Sequence, residues 1–292
     1  NQIGLLVQQN HEIRLQRVDN DDVSGTRHIV WYEQTAGITN QQINLAPSRA
    51  TSNNPEEEIL LNNIINRGTD NLFDNTATPN SNNIERVDIL FDQPRFISSS
   101  GSLDDAGFLI AERGGNDIFH IAGIKSRDAS GDPSSYYDLV KAGADSALPD
   151  NLEWEATSTP TLSLDTVVFR GDAGAGEVPD LRPSANVTSQ GIRGILFSFT
   201  DLGIGAGELV HGYSLFPGDI RSGNDLIGLT DFSDTTNSSN GGLDLLAGGG
   251  AYYDDTADLS PLQTAVPEPG SLALFAFGAA GLLFRRRSRP AP

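Results

Sequence analysis

Two carboxylates and a guanidinium crowd a glycine pair in the stretch ERGGND, residues 112–117. Glu112 and Arg113 lie on one side of Gly114 and Gly115, and Asn116 and Asp117 on the other. Paired carboxylates can share acid and base work on a glycosidic bond when their separation suits it. Separation is a property of the fold, so the favoured reading is a hairpin turn with a surface ion pair. The second reading is a ligand loop made by Glu112, Arg113, Asn116 and Asp117.

Another oxygen-rich stretch, RDASGDPSS, sets Asp128, Ser130 and Asp132 at alternate positions. That spacing suits the oxygen ligands of calcium, although the EF-hand loop and its terminal glutamate are missing. An ordinary Asx turn before a proline uses the same residues and is the favoured reading. The stretch YDDTAD around Asp254 and Asp255 is a weaker version of the calcium idea. Tyr136, Tyr137, Tyr252 and Tyr253 offer rings that stack on sugars, with core or edge packing as the default.

Other chemistries lack their residues. His11, His28, His120 and His211 are nowhere paired at i, i+4, and no HExxH motif occurs, so a zinc hydrolase is poorly supported. GYSLF lacks the second glycine of a nucleophile elbow. GDAGAGE and GIGAGE are not followed by Lys-Ser or Lys-Thr and read as turns, not phosphate loops. There is no cysteine, which removes disulfides, thiolate metal sites and a cysteine nucleophile. The expectation is a non-enzyme without a cofactor, calcium being the one ion considered.

The elements that would position these residues are strands. IGLLV and HIVWYEQT near the N-terminus are rich in branched and aromatic residues, with DNDDVSG as turn signal between them. ERVDILF alternates Val87, Ile89 and Phe91 on one side, and GIRGILFSF does the same with Ile195, Phe197 and Phe199. TLSLDTVVF alternates Leu162, Leu164, Thr166 and Val168. ELVHGYSLF sets Leu209, His211, Tyr213 and Leu215 on one face. GFLIAERGGNDIFHIAGI reads as strand, turn, strand. Residues 51–83 hold ten asparagines and read as a long loop or insertion. One short helix is expected inside it, with Asn54 as cap, Pro55 first, Glu56, Glu57 and Glu58 at the positive end, and Gly68 as the stop. A second short helix is expected over residues 135–148. The fold class is all-β, an antiparallel β-sandwich or jelly-roll body with a short helical insertion and a C-terminal hydrophobic helix. The expected organisation is a body over 1–252, a polar linker over 253–265 and a tail over 266–292.

The 292 residues carry a formal net charge of −20. Four of the basic residues are Arg285, Arg286, Arg287 and Arg289; without them 15 basic residues face 39 acidic ones, a balance of −24. A body this acidic repels nucleic acid and anionic lipid, so neither is an expected partner of the body. The chain begins at Asn1 without a methionine, and the expectation is a processed N-terminus or a fragment edge.

The C-terminal stretch VPEPGSLALFAFGAAGLLFRRRSRP has three parts in order. Val266, Pro267, Glu268 and Pro269 form a proline clamp. Leu272, Leu274, Phe275, Phe277, Leu282, Leu283 and Phe284 make an uncharged apolar run. Arg285, Arg286 and Arg287 close it. The fourteen residues from Ser271 to Phe284 would make a helix of roughly 21 Å, short of the ~30 Å of a bilayer core. Snorkelling arginines lengthen the effective span and favour a cytoplasmic arginine end.

Clamp, short apolar helix and arginine cluster together resemble the PEP-CTERM sorting signal, whose domain is also labelled an ice-binding-protein C-terminal domain. That label carries no evidence of ice binding here. The resemblance implies export in a Gram-negative bacterium and recognition by an exosortase in the inner membrane. It also implies cleavage near Pro267-Glu268-Pro269, then release or transfer to the cell surface or extracellular polymer. By the same resemblance the apolar run is a transient membrane span and the arginines its stop. The resulting expectation is an exported surface or matrix protein with the exosortase as partner, extracellular polysaccharide as a second partner and the inner membrane as a transient anchor before processing. Its alternatives are a secreted calcium-assisted carbohydrate-binding module and a polysaccharide hydrolase.

Overall fold

Apolar side chains at every second position bury one face of an extended chain, and this period organises the protein. The computed structural model describes residues 4–7, 11–18, 30–34, 67–70, 72–73, 83–96, 103–149, 151–154, 163–171, 181–218, 220, 226–227, 243–246 and 251–254. The strands are β1 (Gly4–Val7), β2 (His11–Val18), β3 (Val30–Gln34), β4 (Arg67–Asp70), β5 (Asn83–Arg95), β6 (Ala106–Arg113) and β7 (Ile118–Arg127). After them come β8 (Pro133–Tyr136), β9 (Val140–Gly143), β10 (Ser163–Gly171), β11 (Leu181–Ser198), β12 (Val210–Pro217) and β13 (Ala251–Asp254). The strand pairs are antiparallel, as the sequence leads one to expect, and among the described residues there is no helix.

One sheet runs in the order β1-β13-β6-β11-β10-β3-β4 and the other β2-β5-β12-β7-β8, with β9 also on β7. They share a core. Phe108 of β6 meets Phe91 of β5 at 5.9 Å and Tyr213 of β12 at 4.6 Å between ring centroids. Phe197 of β11 meets Phe119 of β7 at 5.9 Å, and Phe119 stacks on Trp154. Burying each such side chain contributes about 1.5–3 kcal/mol. The alternation read in ERVDILF and GIRGILFSF holds: Val87, Ile89, Phe91, Ile195, Phe197 and Phe199 are all buried.

Residues 243–246 close the first sheet on itself. Gly68 of β4 bridges Leu246, and Glu112 of β6 bridges Leu245. The Thr69 amide donates to the Leu245 carbonyl at 2.9 Å, and the Leu246 amide to that of Ala111 at 2.9 Å. The Thr69 hydroxyl donates to the Leu243 carbonyl and accepts from the Leu245 amide, both at 3.1 Å. The path β6-β11-β10-β3-β4 thereby becomes a ring, with 243–246 as its seam.

Several expectations are corrected. The stretch 135–148 is not a helix; it supplies the end of β8 and all of β9. Tyr136 pairs with Ile124 and Val140 with Ile121 of β7, so a neighbouring strand satisfies the backbone that a helix would satisfy internally. Gly68 does not stop a helix but pairs with Tyr32 inside β4. Residues 51–83 are not a bare insertion, since they supply β4 and the buried Leu72 and Phe73. Leu209 is 47% exposed, and Val210 joins the core instead. A register shift between Val210 and Gly212 changes the face presented. β13 runs to Asp254, so strand pairing continues into the stretch read as linker. The side chains of β10, the helix expected after Asn54 and residues 266–292 lie outside the described residues.

Candidate functional site

ERGGND is not a hairpin turn. β6 belongs to one sheet and β7 to the other, so Gly114 to Asp117 carry the chain across the sandwich. Gly114 and Gly115 make the change of direction with φ of 122° and 77°, values that glycine adopts at little cost. The charged side chains expected at the surface are internal: Glu112 is 0% and Arg113 1% exposed. By alternation Glu112 continues the face of Phe108 and Ile110, and its cross-strand partner on β11 is Arg193.

The charged groups here are closely engaged. Arg113 Nη2 lies 2.8 Å from Asp244 Oδ2 in the seam, and Arg113 Nη1 also donates to Gln190 Oε1. Glu112 Oε1 accepts the amides of Gly115 at 3.2 Å and Asn116 at 3.4 Å. Asn116 Nδ2 donates to Asp117 Oδ1 at 3.0 Å. The Asp117 carbonyl takes the Trp154 indole N–H at 2.7 Å and the Ala144 amide at 3.0 Å, tying the crossing to the core. Burial pushes the Glu112 carboxyl well above its usual range, and the negative charges of Asp117 and Asp244 push it further. A carboxyl raised by a neighbouring carboxyl is the electronic arrangement of an acid–base pair. Here, however, the raised group is sealed from solvent, and a general acid must touch the atom it protonates.

The RDASGDPSS loop closes as an Asx turn. Asp128 Oδ1 accepts the amides of Ser130 at 2.8 Å and Asp132 at 3.0 Å. Asp132 Oδ1 accepts Arg14 Nη1 at 2.5 Å, and the Ser130 carbonyl accepts the same nitrogen at 3.3 Å. These oxygens therefore hold the turn and an ion pair to β2. Among the described residues no group of three or more His, Asp or Glu side chains is arranged to hold a metal ion. His120 is a strand residue, its Nδ1 3.0 Å from the Pro217 carbonyl.

A further polar cluster escapes sequence reading. Asp88 Oδ1 lies 2.8 Å from Arg86 Nε and accepts the Ser214 hydroxyl at 2.6 Å. Its Oδ2 accepts Gln16 Nε2 at 3.3 Å, Tyr136 Oη lies 3.0 Å from Ser214 Oγ, and Arg86 Nη1 donates to the Leu226 carbonyl at 2.7 Å. Burial raises the Asp88 carboxyl, while the Arg86 charge and the Ser214 hydrogen bond pull it back. Ala122, Phe216, Ile220 and Leu226 pack beside it as a second, smaller core. Arg86 and Asp88 sit on the side of ERVDILF that alternation assigns to solvent, and nothing local announces the segment that covers them.

The comparison with known families settles the C-terminal region. Residues 265–287 match the PEP-CTERM protein-sorting motif. This motif is the signal for exosortase-dependent sorting of an exported protein, with the exosortase as processing partner and the surface or exterior of the cell as destination. No curated protein and no solved structure matches the chain. Val266 to Pro269, Leu272 to Phe284 and Arg285 to Arg287 all fall in the matched region. Among the described residues no helix is long and apolar enough to cross a membrane.

Proposed function

We propose that the chain is a non-catalytic component of the cell surface or extracellular matrix of a Gram-negative bacterium. Its all-β body is the part delivered, and its tail is the address. The observation that carries this reading is the sorting motif at residues 265–287. Leu272 to Phe284 would insert as a short helix in the inner membrane, with Arg285, Arg286 and Arg287 held on the cytoplasmic side. A helix of about fourteen residues is a poor permanent anchor but long enough to hold Pro267-Glu268-Pro269 at the membrane face for cleavage. Cleavage then separates the tail from the delivered body.

Two features of the body favour a structural or binding role over hydrolysis. Glu112, the carboxyl poised as an acid, is fully buried. The carboxylates of the Asp128 loop hold a turn and Arg14. An acidic surface also suits a protein kept apart from nucleic acid and anionic lipid.

The test is expression in an exported form with and without an exosortase, followed by mass spectrometry of the C-terminus. Cleavage near Pro267-Glu268-Pro269 should remove the arginines only when the enzyme is present. Replacing Pro267, Glu268 and Pro269 together by alanine should leave them in place. Mature protein that keeps Arg285 to Arg287 in the presence of the enzyme overturns the reading.

A further inference from the structure

The point where β6 leaves its sheet gathers three carboxyls and two guanidiniums. Glu112 and Arg113 come from β6, Asp117 from the crossing, Asp244 from the seam, and Arg193 from β11. Glu112 and Arg193 are cross-strand partners, and the Arg193 side chain passes close over Gly115. Arg113 pairs with Asp244. The negative charges of Asp117 and Asp244 act on Glu112 and raise its carboxyl. With every group ionised, three negative charges meet two positive ones, and an uncompensated charge in a buried site is strongly disfavoured. One proton makes the balance even.

The hydrogen-bond pattern says where that proton sits. Glu112 Oε1 accepts two backbone amides. Glu112 Oε2 is equally buried and among the described residues receives no N–H or O–H donor. A buried acceptor without a donor is costly, whereas an O–H on that oxygen would itself be the donor, with the Asp117 carboxylate beside it to accept. We propose that Glu112 holds a proton at neutral pH and shares it with Asp117. The protonated pair acts as a latch that keeps the ring of the first sheet closed at its seam.

The direction of the effect follows from burial. The Glu112 carboxyl is raised in the folded chain relative to the unfolded one. Its stabilising contribution is therefore complete below the unfolded value and is lost as pH rises through the folded one. Ionisation places a third negative charge against Asp117 and Asp244, with Arg113 and Arg193 among the described residues to oppose it. The seam amides of Thr69, Arg113 and Leu246, which donate across this junction, should lose protection together.

The test uses the full chain in two measurements. Carbon-13 NMR of the Glu112 carboxyl, assigned by its disappearance in Glu112→Gln, should show a protonated acid at neutral pH that titrates on the alkaline side. Between the unfolded value and that midpoint, exchange protection of Thr69, Arg113 and Leu246 should fall about tenfold per pH unit after correction for base catalysis, and it should level off above the midpoint. Glu112→Gln carries a neutral donor in the same place and should hold its protection through that range. A Glu112 carboxyl already ionised at neutral pH overturns the proposal. So does a seam that opens with pH identically in wild type and Glu112→Gln. The carboxyl titration needs only wild-type protein, so it decides the matter even if the variant does not fold.

Discussion

A Cβ on Gly212 would stand 1.9 Å from the Ile89 carbonyl oxygen, and the residue's φ is +137°. Both facts arise at the register shift that turns Val210 inward. Gly212→Ala combines a backbone clash with a disfavoured torsion, and a loss of about 2–4 kcal/mol is expected, read as a lower urea midpoint. Asp88 tests a different force. It is fully buried and holds Arg86, Ser214 and Gln16. Asp88→Ala leaves those donors without their acceptor and should cost about 3–5 kcal/mol in the same assay. A change below about 1 kcal/mol would mean that water replaces the carboxylate. The importance of Asp88 was not legible in ERVDILF, because an alternating strand shows which faces differ and not what later segment covers the second face. Glu112 misled for a related reason. A charged residue next to a glycine pair reads as a turn, and only the change of sheet places it against the core.

At the scale of elements the strands were readable wherever one face meets the core and the other does not. ERVDILF and GIRGILFSF announce β5 and the second half of β11 by period, and GFLIA reads as the strand that becomes β6. The failures share a cause. Residues 135–148 combine tyrosines, a glycine and an alanine-rich end with no clear period, and pairing with β7 decides their state. β4 lies beside an asparagine-rich stretch with little strand signal of its own, and β3 and the seam define it. The seam depends on Thr69, whose hydroxyl serves the Leu243 carbonyl and the Leu245 amide at once. Thr69→Val keeps the shape and removes both bonds, stranding the buried Leu245 amide, while the Leu243 carbonyl keeps the Leu72 amide at 3.0 Å. A loss of about 1–3 kcal/mol is expected. Hydrogen exchange at the Leu245 amide should accelerate before that of core amides in β6 and β11. Equal acceleration everywhere would show the seam to be no weaker than the rest of the sheet.

For the whole molecule, the acidic body and the cationic tail have opposite tasks. The sorting motif occupies residues 265–287, and the last described strand, β13, ends at Asp254. A signal that an exosortase processes should add nothing to the core that remains afterwards, or maturation would weaken the product. Its recognition was legible because clamp, apolar run and arginines are adjacent in sequence, whereas the body's sites are assembled from strands far apart. A chain ending at Ala265 should therefore unfold at the same urea midpoint as the full chain, within about 0.5 kcal/mol, the usual reach of changes away from packed contacts. The slope of the transition should also match, since it tracks the surface exposed on unfolding. A lower midpoint for the shortened chain would show the tail packed on the body. Processing would then destabilise the delivered protein, and the tail would be a structural element as well as an address.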